Sequence, residues 1–280
     1  TLDRSSAASD VYKRQYIHIY VYIYIYQGRP CVIVIQKTDR TGTGTLSVFN
    51  QQITFDLSGG DFPILTTKKI AFKTMVTELK WFLRGDTNIK YLQDNDCKIW
   101  DGDYKKSGRT DGELGPIYGK QWRDWNGIDQ FKNLIDGLVN NPDSRRHLVS
   151  AWNVGDLDKM TLPPCHYSYQ CYIRGDYVDL LWNQRSADLF LGVPFNISSY
   201  ALLLILIANE IDKTPGVVTG NFGDLHLYKN HIKQAKTQIK RKEFDLPKIK
   251  LNSYNIYIGD FDVELVNYKS HSAIKAPLNN

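Results

Sequence analysis

The sequence has little cysteine, and its cysteines lack the spacing that metal sites use. Its 280 residues contain four of them, and none forms a CxxC or CxxH pair (Cys31, Cys97, Cys165 and Cys171). This spacing excludes the common zinc-binding motifs, and a chain of this length does not depend on disulfides for its stability. We therefore expect reduced thiols, a cytoplasmic location and no metal.

Long apolar runs and a strong excess of one charge are also missing. The longest apolar run, residues 201–208, is far shorter than the roughly 20 residues that span a bilayer. The chain carries 35 basic and 30 acidic residues, a net charge of +5, which permits an anionic small substrate but is too weak to indicate DNA binding. We expect a soluble protein without membrane or DNA partners, and nothing in the sequence supports binding to its own mRNA.

The beginning of the chain differs in composition from the rest. Residues 16–26 read YIHIYVYIYIY, an alternation typical of a β-strand. Translation of repetitive TA-rich DNA gives the same alternation, because TAT encodes Tyr and ATA encodes Ile. We interpret residues 1–30 as a non-native or disordered extension and residues 31–280 as one domain.

Residues 165–188 predict a two-stranded hairpin that brings a thiol beside a guanidinium. If Gly175-Asp176 forms a two-residue turn, the residue count places Cys165 opposite Ser186 and next to Arg185, within a residue or two. A neighbouring cation raises the fraction of thiolate, the nucleophilic form of cysteine. The alternative is an inert core cysteine.

Apolar periodicity predicts two helices. Residues 72–83 carry apolar side chains at helical spacing, and Gly85 is expected to end this helix. Glu78 lies at the margin of its apolar face, where a carboxyl is usually solvated unless a ligand cavity opens beside it and raises its pKa. Residues 197–211 are apolar nearly all round, as in a buried helix, and Asn196 is a candidate N-cap.

Two shorter segments are compatible with ligand binding but do not require it. The loop KTDRTGTGT at 37–45 can direct N–H groups and hydroxyls at an anion, although a plain turn is the alternative. His226 and Tyr228 share one face if their segment is extended. They could hydrogen-bond a sugar hydroxyl, or form a structural pair.

Nine blocks of sequence, in order, resemble the thymidylate synthase family. The longest are NPDSRRHLVSAWNVGDLDKM (141–160), LPPCHYSYQCY (162–172) and NQRSADLFLGVPFNISSYALL (183–203), and the similarity runs from about Lys37 to the C-terminus. It implies an α+β fold, a single domain built on a large mixed β-sheet with flanking helices, one sheet face of which forms a homodimer interface. In relatives an amphipathic helix precedes DRTGTGT, whereas residues 28–35 of this chain read GRPCVIVI.

The resemblance also implies an activity and a set of site residues. The activity is the reductive methylation of dUMP to dTMP, with 5,10-methylenetetrahydrofolate as donor of carbon and hydride and dihydrofolate as product. Arg145 and Arg146 would reach the phosphate in the partner's active site of a homodimer. The implied catalytic residues are Cys165, Glu78, Arg185, Asp188, Tyr118 and His166. The implied dUMP ligands are Arg40, Arg145, Arg146, Gln184, Ser186, Asn196, His226 and Tyr228. The implied folate contacts are Trp100, Asp188, Lys68, Leu191 and Gly192.

Two alternatives remain open. A sister pyrimidine hydroxymethylase acting on dUMP or dCMP would use the same cysteine but complete the reaction with water instead of hydride. A non-catalytic nucleotide- or RNA-binding relic would retain the fold alone. Trp100 resembles the residue that shields the reacting carbon from water and favours the synthase. The intact set of Cys165, Arg185, Asn196 and Glu78 argues against a relic.

Overall fold

The computed structural model describes residues 34–279, so the predicted extension at residues 1–30 and the thiol of Cys31 lie outside the described part. The strands of the described part are β1 (Ile35–Lys37), β2 (Thr45–Asp56), β3 (Leu148–Ser150), β4 (His166–Arg174), β5 (Tyr177–Asp188), β6 (Thr214–Tyr228), β7 (Lys248–Asn255) and β8 (Asp260–Val266). Its α-helices are α1 (Phe72–Arg84), α2 (Lys90–Asp94), α3 (Asp101–Ser107), α4 (Gly119–Arg123), α5 (Gln130–Asn140), α6 (Gly192–Glu210) and α7 (Ile232–Gln238).

A mixed sheet organises the described chain. Its strand order is β1-β2-β6-β5-β4-β3, and β7 pairs with β8 in a separate two-stranded ribbon. Neighbours in the large sheet are antiparallel except β5 and β6, which run parallel. The chain crosses from β5 to β6 through α6, as a parallel connection requires. The predicted α+β class with a large mixed sheet and flanking helices is confirmed.

Helix α6 is the central helix of the core. Its residues between Ile197 and Ala208 are mostly buried, and Tyr200 stacks on Trp182 of β5 with ring centroids 5.0 Å apart. The helix is long and apolar enough to cross a membrane, but 67% of the relevant segment is buried inside the protein. Because the core helix of a soluble protein meets the same criterion, this is weak evidence for a membrane span.

The start of α6 differs from the prediction. The helix begins at Gly192, with Leu191 at the N-cap position, so Asn196 lies inside the helix and is not its cap. Proline is tolerated in a first turn because its missing N–H would have no helical partner there. Pro194 is therefore accommodated in the first turn, and the helix begins before residue 197, where the apolar run predicted its start.

Helix α1 follows the predicted pattern. Met75, Leu79 and Phe82 of its apolar face are buried. Gly85 ends the helix in the left-handed conformation, at φ 70°. A side chain at this position would also meet Arg123, because an added Cβ would lie 2.9 Å from the Cβ of Arg123. Glycine is needed here for both reasons.

The β4–β5 hairpin has the predicted turn and a register changed by one residue at its far end. Arg174 pairs with Tyr177 across the turn, and the simple count holds until a bulge between His166 and Ser168. Beyond the bulge the N–H of Arg185 donates to the carbonyl of Cys165 at 2.8 Å. Cys165 therefore lies opposite Arg185, one residue from the pairing with Ser186 that the simple count gives and inside the expected range, since a bulge adds an unpaired residue to one strand.

Candidate active site

A cavity of about 310 Å³ opens at the carboxyl ends of the parallel strands β5 and β6, which is where ligands bind in many mixed and parallel sheets. Most of the residues that the resemblance implied line it. They are Cys165, Glu78, Arg185, Asp188, Tyr118, His166, Arg40, Gln184, Ser186, Asn196, His226, Tyr228, Trp100 and Gly192. Arg145, Arg146, Lys68 and Leu191 are not among the lining residues.

Cys165 begins the hairpin and is held by Tyr118. Its N–H donates to the Tyr118 hydroxyl at 2.8 Å. Burial raises the pKa of the Cys165 thiol, while the Arg185 guanidinium and the Tyr118 hydroxyl oppose this effect without cancelling it. The expected influence of Arg185 is therefore present, but in the ligand-free protein the thiol form is favoured.

Arg185 is fixed beside the thiol by backbone carbonyls. Its Nε donates to the carbonyl of Pro164 at 2.8 Å, and its Nη2 donates to the carbonyl of Pro163 at 2.9 Å. The guanidinium also lies over the ring of Trp152, 5.4 Å from its centroid. Because a guanidinium has five N–H groups, these contacts orient it and leave donors for an anionic ligand.

Tyr118 occupies a strained backbone position. Its φ is 34°, a value that costs free energy for any residue with a side chain. The next residue explains the constraint, since a Cβ on Gly119 would lie 2.1 Å from the carbonyl oxygen of Phe82 in α1. The chain can approach α1 this closely only at a glycine, and the resulting turn directs the Tyr118 hydroxyl to Cys165.

His166 is a buried, neutral imidazole. Its Nδ1 lies 2.9 Å from the Tyr200 hydroxyl, and its ring packs on Tyr118 with centroids 4.3 Å apart. Burial lowers the pKa of His166 to about 3. A neutral imidazole can accept one hydrogen bond and donate another, so His166 can order a ligand or a water without carrying charge.

Glu78 lies where the predicted helix margin meets the cavity. Its carboxylate accepts a 2.8 Å hydrogen bond from the Trp100 indole. Burial raises the pKa of Glu78 to about 7, and the hydrogen bond from Trp100 only partly opposes the shift. A carboxyl that titrates near neutrality can take up and release a proton under working conditions.

The polar pair on β6 is built around Asp224. Nδ1 of His226 lies 3.3 Å from an Asp224 oxygen, and the Lys37 ammonium lies 2.8 Å from the other. Ser47 also donates to Asp224, and these partners hold the pKa of Asp224 well below its usual range against the effect of burial. The Tyr228 ring stands perpendicular to the His226 ring, with centroids 5.1 Å apart, so the two residues form a structural pair. Both also line the cavity, and hydrogen bonding to a sugar hydroxyl stays a prediction.

The loop at 39–45 brings Arg40 to the cavity but uses its other donors internally. Asp39 accepts hydrogen bonds from the N–H of Thr41 at 2.9 Å and from the N–H of Gly44 at 2.6 Å. The Thr41 hydroxyl donates to the same carboxylate. The expectation that these groups point at an anion is therefore wrong for Thr41 and Gly44, because Asp39 is their acceptor.

The turn between β5 and α6 carries Asp188 and rests on Lys68. Oδ1 of Asp188 accepts from the N–H groups of Phe190 and Leu191 at 3.0 and 3.4 Å. The Lys68 ammonium donates to the Phe190 carbonyl and lies 3.6 Å from the centroid of the Phe190 ring. Burial lowers the pKa of Lys68 to about 7. Lys68 thus supports the turn that carries Asp188, and its contact with the folate stays a prediction.

Five further residues line the cavity, and three of them, Ile99, Asp103 and Leu162, were not found from the sequence. The other two, Leu278 and Asn279, belong to the C-terminal segment that the resemblance implies closes over the folate. Asp103 is the one among them with an ionisable side chain, and burial raises its pKa although Arg40 and Lys106 oppose the shift. The apolar residues carry no chemical signal in the sequence, and the last two reach the cavity from the far end of the chain.

The cavity combines a thiol, two arginines, a carboxyl that titrates near neutrality and a neutral imidazole. Within residues 34–279, no group of three or more His, Cys, Asp or Glu side chains could hold a metal ion. The thiol, the arginines, the carboxyl and the imidazole are the groups that enzymes with a cysteine nucleophile and an anionic substrate bring together. A sequence model of the family described as thymidylate synthase matches residues 17–280. The chain belongs to the thymidylate synthase family.

This assignment confirms the resemblance. Members of the family are methyltransferases that act on dUMP and use methylenetetrahydrofolate. The matched region begins inside the segment 1–30, and the boundary near residue 30 remains a prediction from composition.

Proposed function

We propose that this protein is a thymidylate synthase that converts dUMP to dTMP with 5,10-methylenetetrahydrofolate. The observation that carries the proposal is the pairing of Cys165 with Arg185 in a cavity that also contains the Asn196 amide. A thiol next to a guanidinium suits addition to a pyrimidine whose phosphate binds nearby, because the bound anion and the thiol then share one cation. The amide can hydrogen-bond the base.

The residues divide the work by chemistry. Arg40 and Arg185 bind the phosphate, and His226 and Tyr228 hydrogen-bond the deoxyribose. Cys165 gives up its proton to water and its thiolate adds to C6 of the pyrimidine, which moves the C5–C6 π electron pair to C5, where the one-carbon unit is taken up with loss of the C5 proton. When hydride reduces that carbon, the C5–C6 double bond forms again and the Cys165 thiolate is eliminated.

Three groups of the cavity handle the protons. Glu78 lies on α1, and its pKa of about 7 suits exchange of a proton with the base through water. Neutral His166 and the Tyr118 hydroxyl orient that water by hydrogen bonds. Their burial keeps the geometry fixed.

The cavity also has groups that fit the folate. Methylenetetrahydrofolate, when bound, supplies the one-carbon unit and the hydride. A flat indole (Trp100) and the apolar side chains of Leu162 and Leu278 line one part of the cavity, and such surfaces pack against a pterin ring. The Asp188 carboxylate is an acceptor for the N–H groups of such a ring.

We propose a homodimer, because one chain supplies only part of the implied phosphate site. Arg145 and Arg146 lie in the loop before β3 and are exposed. The sheet next to them has a row of joined amides and hydroxyls that crosses four strands, formed by Gln52, Asn221, Asn183 and Ser168.

Two exposed apolar residues accompany this row. Leu148 is 48% exposed and Tyr172 is 60% exposed. A sheet face with apolar side chains left uncovered is suited to pairing with a second copy of the chain.

Turnover with dUMP and methylenetetrahydrofolate tests the activity. We expect dTMP together with the absorbance rise of dihydrofolate. Hydroxymethylated nucleotide without dihydrofolate would identify the sister activity instead, and nucleotide binding without product would identify a relic. Cys165→Ala is the blank for all three outcomes.

Mixing two inactive variants tests the dimer. Cys165→Ala lacks the nucleophile and Arg146→Glu lacks a phosphate ligand, so each homodimer is expected to be inactive. If Arg146 serves the partner's site, subunit exchange creates one complete site per mixed dimer, and activity should return to about a quarter of the wild-type value. A mixture without activity, in the presence of exchanged subunits, would contradict the proposal.

A further inference from the structure

The C-terminal residues Pro277, Leu278 and Asn279 form a wall of the cavity, which we call the C-terminal wall. Leu278 and Asn279 line the cavity directly. They lie far in sequence from the strands that supply the other lining residues, so side-chain contacts must hold them in place.

One of those contacts is made by His231, which follows β6 and is completely buried. Its Nε2 lies 2.8 Å from the carbonyl oxygen of Pro277. Only a protonated Nε2 can donate to a carbonyl, so this contact assigns the Nε2–H form to the imidazole.

The other side of the same ring faces the turn that carries Asp188. Nδ1 of His231 lies 3.9 Å from Oδ1 of Asp188 and has no hydrogen-bond partner among the described residues. The ring also packs on Phe190, with centroids 5.4 Å apart. His231 therefore contacts two parts of the cavity. One ring nitrogen binds the C-terminal wall, and the ring packs on the turn that carries Asp188.

A second contact connects the C-terminal wall to the loop that carries Arg40. Oδ1 of Asn279 accepts from the Thr43 hydroxyl at 3.0 Å and from Nδ2 of Asn230 at 2.8 Å. The amide nitrogen of Asn279 lies 3.2 Å from Nε2 of His231. The wall is thus held at two points, one buried and one at the surface.

We propose that His231 is a positioning residue that docks the C-terminal wall and sets it in register with Asp188. His231 is not itself among the residues that line the cavity. It acts through Pro277 and through the packing of Phe190, and it lies beside the lining residues Asn279 and Asp188. The proposal rests on the proposed function for its effect on folate, which contacts Asp188 and Leu278 in that scheme. Its structural part stands independently of any activity.

Two isosteric substitutions separate the two sides of the ring. His231→Gln can place an amide N–H near the position of Nε2 and keep the donor to Pro277. His231→Asn places its amide near Nδ1 and loses that donor. The matched surface variant is Asn279→Ala, which removes the second contact without opening a space in the core.

The first measurement is hydrogen–deuterium exchange of residues 274–279 in the ligand-free protein. We expect exchange in His231→Asn to be at least tenfold faster than in the wild type, and exchange in His231→Gln to stay within about threefold. Thermal unfolding shows whether His231→Asn has lost its fold. If it has, Asn279→Ala tests the docking without a change in the core, and residues 274–279 should exchange faster in this variant too. Equal exchange in wild type, His231→Asn and Asn279→Ala would overturn the proposal.

The second measurement is the split between the two substrates. In His231→Asn we expect the KM for methylenetetrahydrofolate to rise about tenfold, with kcat less affected and dUMP affinity within twofold of wild type. Two results would indicate a general structural role and overturn the proposal. One is an equal loss of affinity for methylenetetrahydrofolate and for dUMP in His231→Asn, and the other is a His231→Gln variant in which neither affinity returns to the wild-type value. An inactive wild type would refute the proposed function and leave the exchange result to decide the docking role.

Discussion

Nε2 of Gln184 donates a 3.1 Å hydrogen bond to Oδ1 of Asn196. Gln184 is itself oriented, because its Oε1 accepts from the Trp182 indole at 3.3 Å and its Nε2 also donates to the Ser186 carbonyl at 3.0 Å. Reversing the Gln184 amide would break all three contacts. The Asn196 amide is therefore fixed with its oxygen as acceptor, which the residue type alone could not determine.

This orientation predicts a preference for uracil over cytosine. The Asn196 oxygen can accept from N3–H of uracil and its nitrogen can donate to O4, whereas cytosine presents the opposite pattern. Each buried group left unpaired costs about 1–3 kcal/mol. Asn196→Asp should lower the ratio of kcat/KM for dUMP to that for dCMP by at least tenfold while phosphate binding persists. An unchanged ratio would show that Asn196 does not read the base.

Cys165 should be essential for turnover and dispensable for binding. Cys165→Ala is expected to abolish dTMP formation and to leave the Kd for dUMP within about threefold, because Arg40 and Arg185 bind the phosphate independently of the thiol. The matched control is Cys171→Ala, since Cys171 is buried in β4, the strand that follows Cys165. It should lose about 1–2 kcal/mol of stability and keep its activity. Measurable dTMP from Cys165→Ala would remove the thiol from the mechanism.

Glu78 should impose an ionisation near pH 7 on the reaction. Because the pKa of Glu78 is about 7, the profile of kcat against pH should contain a step near neutrality. The profile of Glu78→Gln should lack this step. A glutamate in the unfolded chain titrates near 4.3, so the folded protein holds this proton more tightly and the stabilising effect is lost as pH rises through about 7. Urea unfolding should then find Glu78→Gln more stable than wild type by about 1–2 kcal/mol at pH 8.5, with the difference vanishing near pH 4. A constant difference across that range would contradict the raised pKa.

The negative charge of Asp103 should lower the fraction of Cys165 that is thiolate and lower the affinity of the cavity for an anion. It lines the cavity with Cys165 and raises the pKa of that thiol, while Arg40 attracts its carboxylate. In Asp103→Asn, iodoacetamide at pH 7 should alkylate Cys165 about threefold faster than in the wild type, because a negative charge has been removed. For the same reason the variant should bind dUMP more tightly. Asp101→Asn, on the same helix but outside the cavity lining, is the control. Identical alkylation profiles in all three proteins would rule out the effect.

Local patterns were enough to predict several of the elements, whereas most of the candidate site residues came from the resemblance to the family. The hairpin turn at 175–176, helix α1 with its end at Gly85, and the buried character of α6 all follow from residue type and spacing. These features depend on interactions between near neighbours, which a single sequence contains.

The features that were missed depend on contacts between distant segments. The bulge after His166 accommodates the packing of that ring on Tyr118 and Tyr200, and no residue type near it marks the extra residue. The contacts that hold Leu278 and Asn279 at the cavity come from His231, which donates to the Pro277 carbonyl, and from Thr43, which donates to Asn279. The direction of the pKa shift of Cys165 depends on how deeply the thiol is buried. Burial is a property of the assembled cavity and cannot be read from neighbouring residues in the sequence.

The one-residue bulge in β4 has a consequence for how the hairpin can change. Successive side chains of a strand point to opposite faces, so the face on which the thiol emerges is counted in residues from the turn at Gly175-Asp176. Substitutions along β4 and β5 preserve that count, whereas a single inserted or deleted residue between the turn and Cys165 would bring a different side chain opposite Arg185. Residue types along β4 and β5 can therefore change, whereas the number of residues between the turn and Cys165 must stay constant.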